Sequence, residues 1–97
     1  MRVITICGSL KYKDEMMKVA QKLSLEGNCV LTPVYPVEDK KPSEEELKIL
    51  KEAHFKRIEM SDEIFVLNID GYVGESTKLE IEYAEKLGKV IEYYSKN

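Results

Sequence analysis

One stretch, Asp70-Gly71-Tyr72-Val73-Gly74-Glu75-Ser76-Thr77-Lys78-Leu79-Glu80, gathers three carboxylates, two hydroxyls and a tyrosine beside two glycines. Carboxylates grouped in this way serve as nucleophile or as general acid and base, so Asp70, Glu75 and Glu80 are candidates for chemistry at a polar bond. Thr77-x-x-Glu80 also fits a capping box, in which Glu80 merely satisfies a helix start, and the spacing leaves both roles open. A second stretch, Gly8-Ser9-Leu10-Lys11-Tyr12-Lys13, pairs a glycine turn with a helix start. There, main-chain amides and the helix dipole favour an anion, with Ser9 and Lys11 or Lys13 as further donors; alternatively Ser9 caps the helix and the lysines are solvated. It is not a Walker A loop, it lacks the three-glycine dinucleotide fingerprint, and Lys13 stands where a phosphatase loop starting at Cys7 needs arginine. His54, the single histidine, titrates near neutrality and is equally open to a structural place on a helix face or to proton transfer.

Elements must position these groups. Arg2–Cys7 is β-branched and ends at Gly8-Ser9, which predicts a buried strand. Leu10, Met16, Met17, Ala20 and Leu23 follow a helical spacing up to Gly27-Asn28, and Cys29–Thr32 reads as a short strand stopped by Pro33. Val34–Pro42, with its prolines and the cluster Glu38-Asp39-Lys40-Lys41, is expected to be a surface loop or lid. Ser43 to Glu46 fits a capping box opening a helix to about Met60, with Leu47, Leu50, Ala53, His54 and Ile58 on its inner face. Glu63–Ile69 is an almost continuous apolar run, as in a strand covered on both faces. Thr77–Leu87 is predicted helical with Leu79, Tyr83, Ala84 and Leu87 inward, and Lys89–Tyr94 forms a last strand. Asp62, before the third strand, is expected to cap the helix–strand junction rather than to do chemistry.

Alternating strands and helices imply an α/β fold: a small Rossmann-like or flavodoxin-like three-layer sandwich around a four-stranded parallel sheet, one domain over residues 1–97. Ligands of such sheets bind beyond the carboxyl ends of the strands, which selects Gly8–Lys13, Thr32–Tyr35 and Asp70–Glu80.

With 97 residues, 34% charged and a net charge of −3, the composition describes one small globular domain without the basic face that a nucleic-acid polymer requires. Apolar runs are too short for a membrane span and the first residues read as a strand rather than a leader, so no membrane partner and a cytoplasmic location are expected. Charge is uneven, +2 over residues 1–37, −1 over 38–60 and −4 over 61–97. An anionic ligand is therefore expected at the first third. Cys7 and Cys29 fall in predicted buried strands, where cysteine acts as a small hydrophobe, and make neither a zinc motif nor a disulfide framework. A chain this short buries a modest share of its surface, and a homodimer or larger homo-oligomer is expected.

The segments Ser61-Asp62-Glu63-Ile64-Phe65-Val66 and Gly74-Glu75-Ser76-Thr77-Lys78-Leu79-Glu80-Ile81-Glu82-Tyr83-Ala84, with Gly88-Lys89, resemble the carboxyl-terminal half of the nucleoside 2-deoxyribosyltransferase-like family. Ile6-Cys7-Gly8-Ser9-Leu10 is similar to the first loop of its deoxynucleoside 5'-monophosphate N-glycosidase branch. The resemblance implies that Glu80 attacks the anomeric carbon and that the glycosyl-enzyme passes to water or to another base. It further implies that Gly8, Ser9, Gly74, Glu75 and Ser76 line the substrate site, that Ser9 and Ser76 hold its 5' end, and that Tyr12 or Tyr72 packs on base or sugar. A nucleoside or nucleotide is then the small-molecule partner, with neither metal nor redox cofactor. Two positions depart from the family: His54 stands where it has an aspartate, and Gly74 where the transferases have a further acid. Under this resemblance His54 is a proton donor and Asp70 or Glu75 replaces the second acid. The departures also leave a non-catalytic nucleotide-binding or signalling module of the same fold as an alternative. A phosphoacceptor role for Asp70 fits poorly, since Cys7-Gly8 occupies the place of the acidic pair it needs.

Overall fold

Hydrophobic patterning explains the layering directly. In the computed structural model, which describes residues 1–37 and 40–95, four strands and three helices alternate. They are β1 (Val3–Cys7), α1 (Lys13–Leu25), β2 (Cys29–Leu31), α2 (Glu44–Met60), β3 (Glu63–Val66), α3 (Glu75–Lys86) and β4 (Val90–Tyr93). The sheet is entirely parallel in the order β2-β1-β3-β4, with Ile4 opposite both Val30 and Glu63, and Val66 opposite Tyr93. The chain is thus an α/β three-layer sandwich of the Rossmann or flavodoxin kind, with β1 and β3 central.

Alternate residues of the central strands feed two cores. Ile6, Phe65 and Leu67 pack with Met16 and Val19 of α1, whereas Cys7, Ile64 and Val66 pack with Ile58 of α2 and Ala84 of α3. Both faces of β1 and β3 are covered, which accounts for their continuous apolar runs. No helix among the described residues is long and apolar enough to cross a membrane.

Several expectations need correction. Cys29 is exposed because β2 is an edge strand with only β1 beside it. Leu10–Tyr12 forms a separate 3-10 turn ahead of α1, so Leu10 and Met17 miss the inner stripe and are exposed. Helix α3 begins two residues earlier than expected, at Glu75, and turns Thr77, Ile81 and Ala84 to the sheet, leaving Leu79 and Leu87 exposed. The capping box at Ser43 forms in full, Glu46 main-chain N–H donating to Ser43 Oγ at 3.1 Å and Ser43 N–H to Glu46 Oε1 at 2.8 Å. Only the far half of α2, His54 and Ile58, is buried, and Leu47 and Leu50 are exposed. Of the predicted surface loop, Glu38 and Asp39 lie outside the described residues.

The two ends of the sheet are fastened differently. At the amino end, Val3 N–H donates to Asp62 Oδ2 at 2.8 Å, Asp62 N–H donates to the Val3 carbonyl at 2.8 Å, and Arg2 pairs with Glu63. Asp62 is therefore the junction residue expected. Toward the carboxyl end, Asn68 clamps Ser95 by two hydrogen bonds, of 2.7 and 3.0 Å. Ser61 Oγ donates to the Arg57 carbonyl at 2.8 Å and accepts from the Thr5 hydroxyl, which fixes the last turn of α2 over β1.

Candidate functional site

A cavity of about 510 Å³ opens beyond the carboxyl ends of β1 and β3, where the strand order reverses. Its floor is the loop after β1, Gly8 to Leu10; one wall is the Tyr72–Thr77 segment with Glu80, and the other is the α2 stripe of Leu47, Leu50, Lys51, His54 and Arg57. Gly8 fits closely there, since a Cβ would stand 3.0 Å from Leu67 Cβ and 3.3 Å from the Leu67 carbonyl. The exposed Leu47 and Leu50, with Pro33 and Val34, form the apolar side of this cavity, which is where the near half of the α2 stripe spends its hydrophobic surface.

Of the residues named from sequence, the fold brings Gly8, Ser9, His54, Tyr72, Gly74, Glu75, Ser76 and Glu80 to this cavity. It leaves Asp70 outside the lining, exposed and in a left-handed conformation at φ 52°. Lys11 and Tyr12 are also outside. The Lys11 ammonium lies 3.9 Å from the Tyr72 ring centroid and Tyr12 meets Tyr72 edge-on, so they brace the wall from behind. Ser9 Oγ accepts from Lys11 N–H at 3.3 Å as the cap of the 3-10 turn while still facing the cavity. The cations that do line the cavity are Lys51 and Arg57, from the middle of the chain and not from its first third.

Helix α3 has Gly74 as its N-cap with no side-chain cap hydrogen bond, and its first turn, Glu75 to Thr77, lines the cavity. Glu80 lies about a turn and a half into this helix. The capping box with Thr77 is therefore not made, and Thr77 is buried. Glu80 instead points into the interior beside His54 and Cys7, its side chain 15% exposed and His54's 6%. Glu80 Oε1 is 3.8 Å from His54 Nε2, which in turn is 3.6 Å from Cys7 Sγ. Arg57 Nη1 approaches the other ring nitrogen, Nδ1, at 3.4 Å.

Burial sets the electrostatics of this trio. It pushes the Glu80 carboxyl up to about 7, against weaker pulls from the Cys7 thiol and Lys51. It pushes His54 down to about 4, helped by the Arg57 charge and opposed by the Ile6 carbonyl. It also holds the Cys7 thiol well above its ordinary range, with Glu80 adding to the effect. At neutral pH the histidine and the thiol are uncharged and burial favours the protonated form of Glu80 over its ordinary state, so the His54–Glu80 contact is not an ion pair. Burial thus governs Glu80, and the expected role of His54 changes. The helix dipole does not keep Glu80 fully ionised, because the side chain is more than a turn from the helix end and desolvation dominates. His54 is too weak a base to carry a transferable proton near neutrality.

Sequence reasoning missed Cys7, Lys51, Arg57 and Thr77. The signal for two of them was available, since Leu47, Leu50, Lys51, His54 and Arg57 share one helical stripe with the histidine. Cys7 carried none, being a strand residue whose neighbours in the trio are 47 and 73 positions away.

A family model described as a domain of unknown function (DUF4406) matches residues 4–93. No curated protein matches the chain.

Proposed function

Since the chain belongs to the DUF4406 family, described as a domain of unknown function, we propose from the chemistry of its site that it cleaves or transfers the N-glycosidic bond of a nucleoside or nucleoside 5'-monophosphate. The observation that carries this reading is Glu80: a carboxyl without a cationic partner, largely desolvated, at the side of a cavity with one apolar and one polar wall. A desolvated carboxylate is a strong nucleophile once ionised, and the apolar wall of Leu47, Leu50, Pro33 and Val34 suits a flat base. The resemblance of the Gly74–Gly88 segment to the nucleoside 2-deoxyribosyltransferase-like family supports the same role.

In this mechanism the ionised Glu80 oxygen forms a bond to the anomeric carbon as the carbon–nitrogen bond breaks. The base leaves with the bonding electrons and takes its proton from solvent at the cavity mouth. Water or a second base then displaces Glu80 and regenerates the free carboxylate. Ser9, Ser76 and the first-turn N–H groups of α3 hold the 5' end, and the Lys51 and Arg57 charges favour an anionic one. The reading takes the chain to be a cytoplasmic homo-oligomer; exposed Val34, Leu47 and Ile49 support the assembly alone, and light scattering of the purified chain checks it.

The test is base release from nucleosides and 5'-monophosphates, followed by chromatography. Wild type releases base, Glu80→Gln and Glu80→Ala lose at least about 100-fold, and a glycosyl adduct on Glu80 appears by mass spectrometry. His54, standing where the resembled family has an aspartate, favours a second reading, a nucleotide-binding module without turnover. Saturable nucleotide binding with no base released from any substrate selects that module.

A further inference from the structure

Cys7, His54 and Glu80 form the one group of three potential metal ligands found among the described residues, their ligand atoms all within 4.8 Å of one another. We propose that these side chains are a three-ligand site for a zinc-class ion, with the cavity supplying the fourth position. The sequence alone pointed to no metal, because the three residues come from β1, α2 and α3 and share no local spacing.

The geometry carries the assignment. Around a tetrahedral zinc with bonds of about 2.3 Å to sulfur and about 2.0–2.2 Å to nitrogen and oxygen, neighbouring ligand atoms stand about 3.4–3.6 Å apart. Here sulfur to nitrogen is 3.6 Å, nitrogen to oxygen is 3.8 Å and sulfur to carboxylate is within 4.8 Å, so side-chain rotations that draw Glu80 toward Cys7 close the set. The donors also choose the metal: a thiolate and an imidazole select zinc, cobalt(II) or cadmium over magnesium and calcium. Binding releases the thiol and carboxyl protons, and the two anions then cancel the charge of a divalent ion in a pocket where a net charge is costly. Cys7 and His54 are buried and fixed by the β1 and α2 packing, whereas Glu80 borders the cavity through which an ion enters. With Nε2 on the metal, Nδ1 carries the ring proton, and Arg57 swings away from it into the cavity it already lines.

This proposal stands on the trio's geometry and not on the glycosidic reading. Only its consequence rests on that reading: an ion held by Glu80 removes the nucleophile, so zinc suppresses base release in proportion to occupancy.

The test uses the full chain stripped with chelator and titrated with cobalt(II), then with zinc against a chromophoric chelator. Expected are one cobalt per chain, a thiolate-to-cobalt charge-transfer band with intense tetrahedral visible bands, and at least about 100-fold weaker binding in Cys7→Ala and in His54→Ala. Cys29→Ser, which alters only the exposed thiol, keeps the full signal. Absence of the charge-transfer band, its survival in Cys7→Ala or its loss in Cys29→Ser overturns the site. Should Cys7→Ala fail to fold, zinc-edge X-ray absorption of the Cys29→Ser chain decides. One sulfur at about 2.3 Å with nitrogen and oxygen at about 2.0–2.2 Å supports the site, and a shell without sulfur overturns it. Zinc bound by a chain whose Glu80→Gln variant still releases base like wild type leaves this site standing and removes the glycosidic reading. Glycosidic turnover in a chain that binds no zinc does the reverse.

Discussion

Glu63 and Glu80 are both largely buried acids, at opposite ends of the same sheet, and the fold treats them in contrary ways. Glu63, at the amino end of β3, is gripped by Arg2, with Nε at 2.9 Å and Nη2 at 2.7 Å from Oε1. Glu80, at the carboxyl end, has the neutral His54 and Cys7 as its nearest polar neighbours and rises to about 7. A paired acid holds two strands together; an unpaired one keeps its free energy available for a ligand. The difference separates an end of the molecule fastened by a charge pair from an end that leaves a desolvated carboxyl beside a cavity.

The largest expected effect that sharpens this contrast is on the pH dependence of stability. Because burial raises Glu80 from its ordinary 4.5 to about 7, the folded chain retains a proton in that window that the unfolded chain has lost, and stability falls as pH rises through it. His54 is lowered from 6.5 to about 4, so here the unfolded chain holds the extra proton and stability falls as pH drops. The two slopes oppose each other between about 4.5 and 6.5 and largely cancel. Glu80→Gln is therefore expected to be more stable than wild type above pH 7 by up to about 3 kcal/mol, the gap closing on acidification. His54→Gln unmasks the Glu80 slope in the same window, so its stability falls from about pH 4.5 to 7 more steeply than that of wild type. Urea midpoints of the three chains across pH measure both effects, and a gap that does not vary with pH breaks the contrast.

A smaller effect, about 1–3 kcal/mol, is expected from Gly8→Ala, because the added methyl meets Leu67 side chain and backbone at the floor of the cavity. Thermal unfolding and base release should fall together in that variant. At the other end, Arg2→Ala leaves Glu63 without its guanidinium. Since Arg2 is half exposed, solvent screens much of the pair, and the expected loss is about 1 kcal/mol with base release unchanged. A drop in release from Arg2→Ala, with the chain folded, would contradict the division between the two ends.

Much of the architecture was legible because it rests on local signals. The capping box at Ser43 and Glu46, the β-branched run of β1 and the glycine stops each report a nearby cause, and the alternation of strand and helix then leaves few topologies. The errors sit where tertiary context overrules a local pattern. Periodicity alone turns Leu79, Leu87 and the near half of α2 inward. An earlier start of α3 and the cavity beside α2 decided otherwise. Local pattern alone puts Cys29 in a core strand, but whether a strand is central or at an edge depends on sheet order, which composition does not encode.

The candidate site divides along the same line. Glu80, His54, Ser9 and the Gly74–Ser76 loop were identifiable as residues, since their types and the rule that ligands sit beyond the strand ends reach that far. The sequence by itself determined a small α/β sandwich with its reactive groups at one edge. Only the tertiary structure decided that Glu80 loses its capping partner and is desolvated, that Asp70, Lys11 and Tyr12 stay outside the cavity, and that Cys7 joins His54 and Glu80. The reason is physical: desolvation and side-chain convergence depend on distances between β1, α2 and α3, and those distances exist only once the sheet has closed.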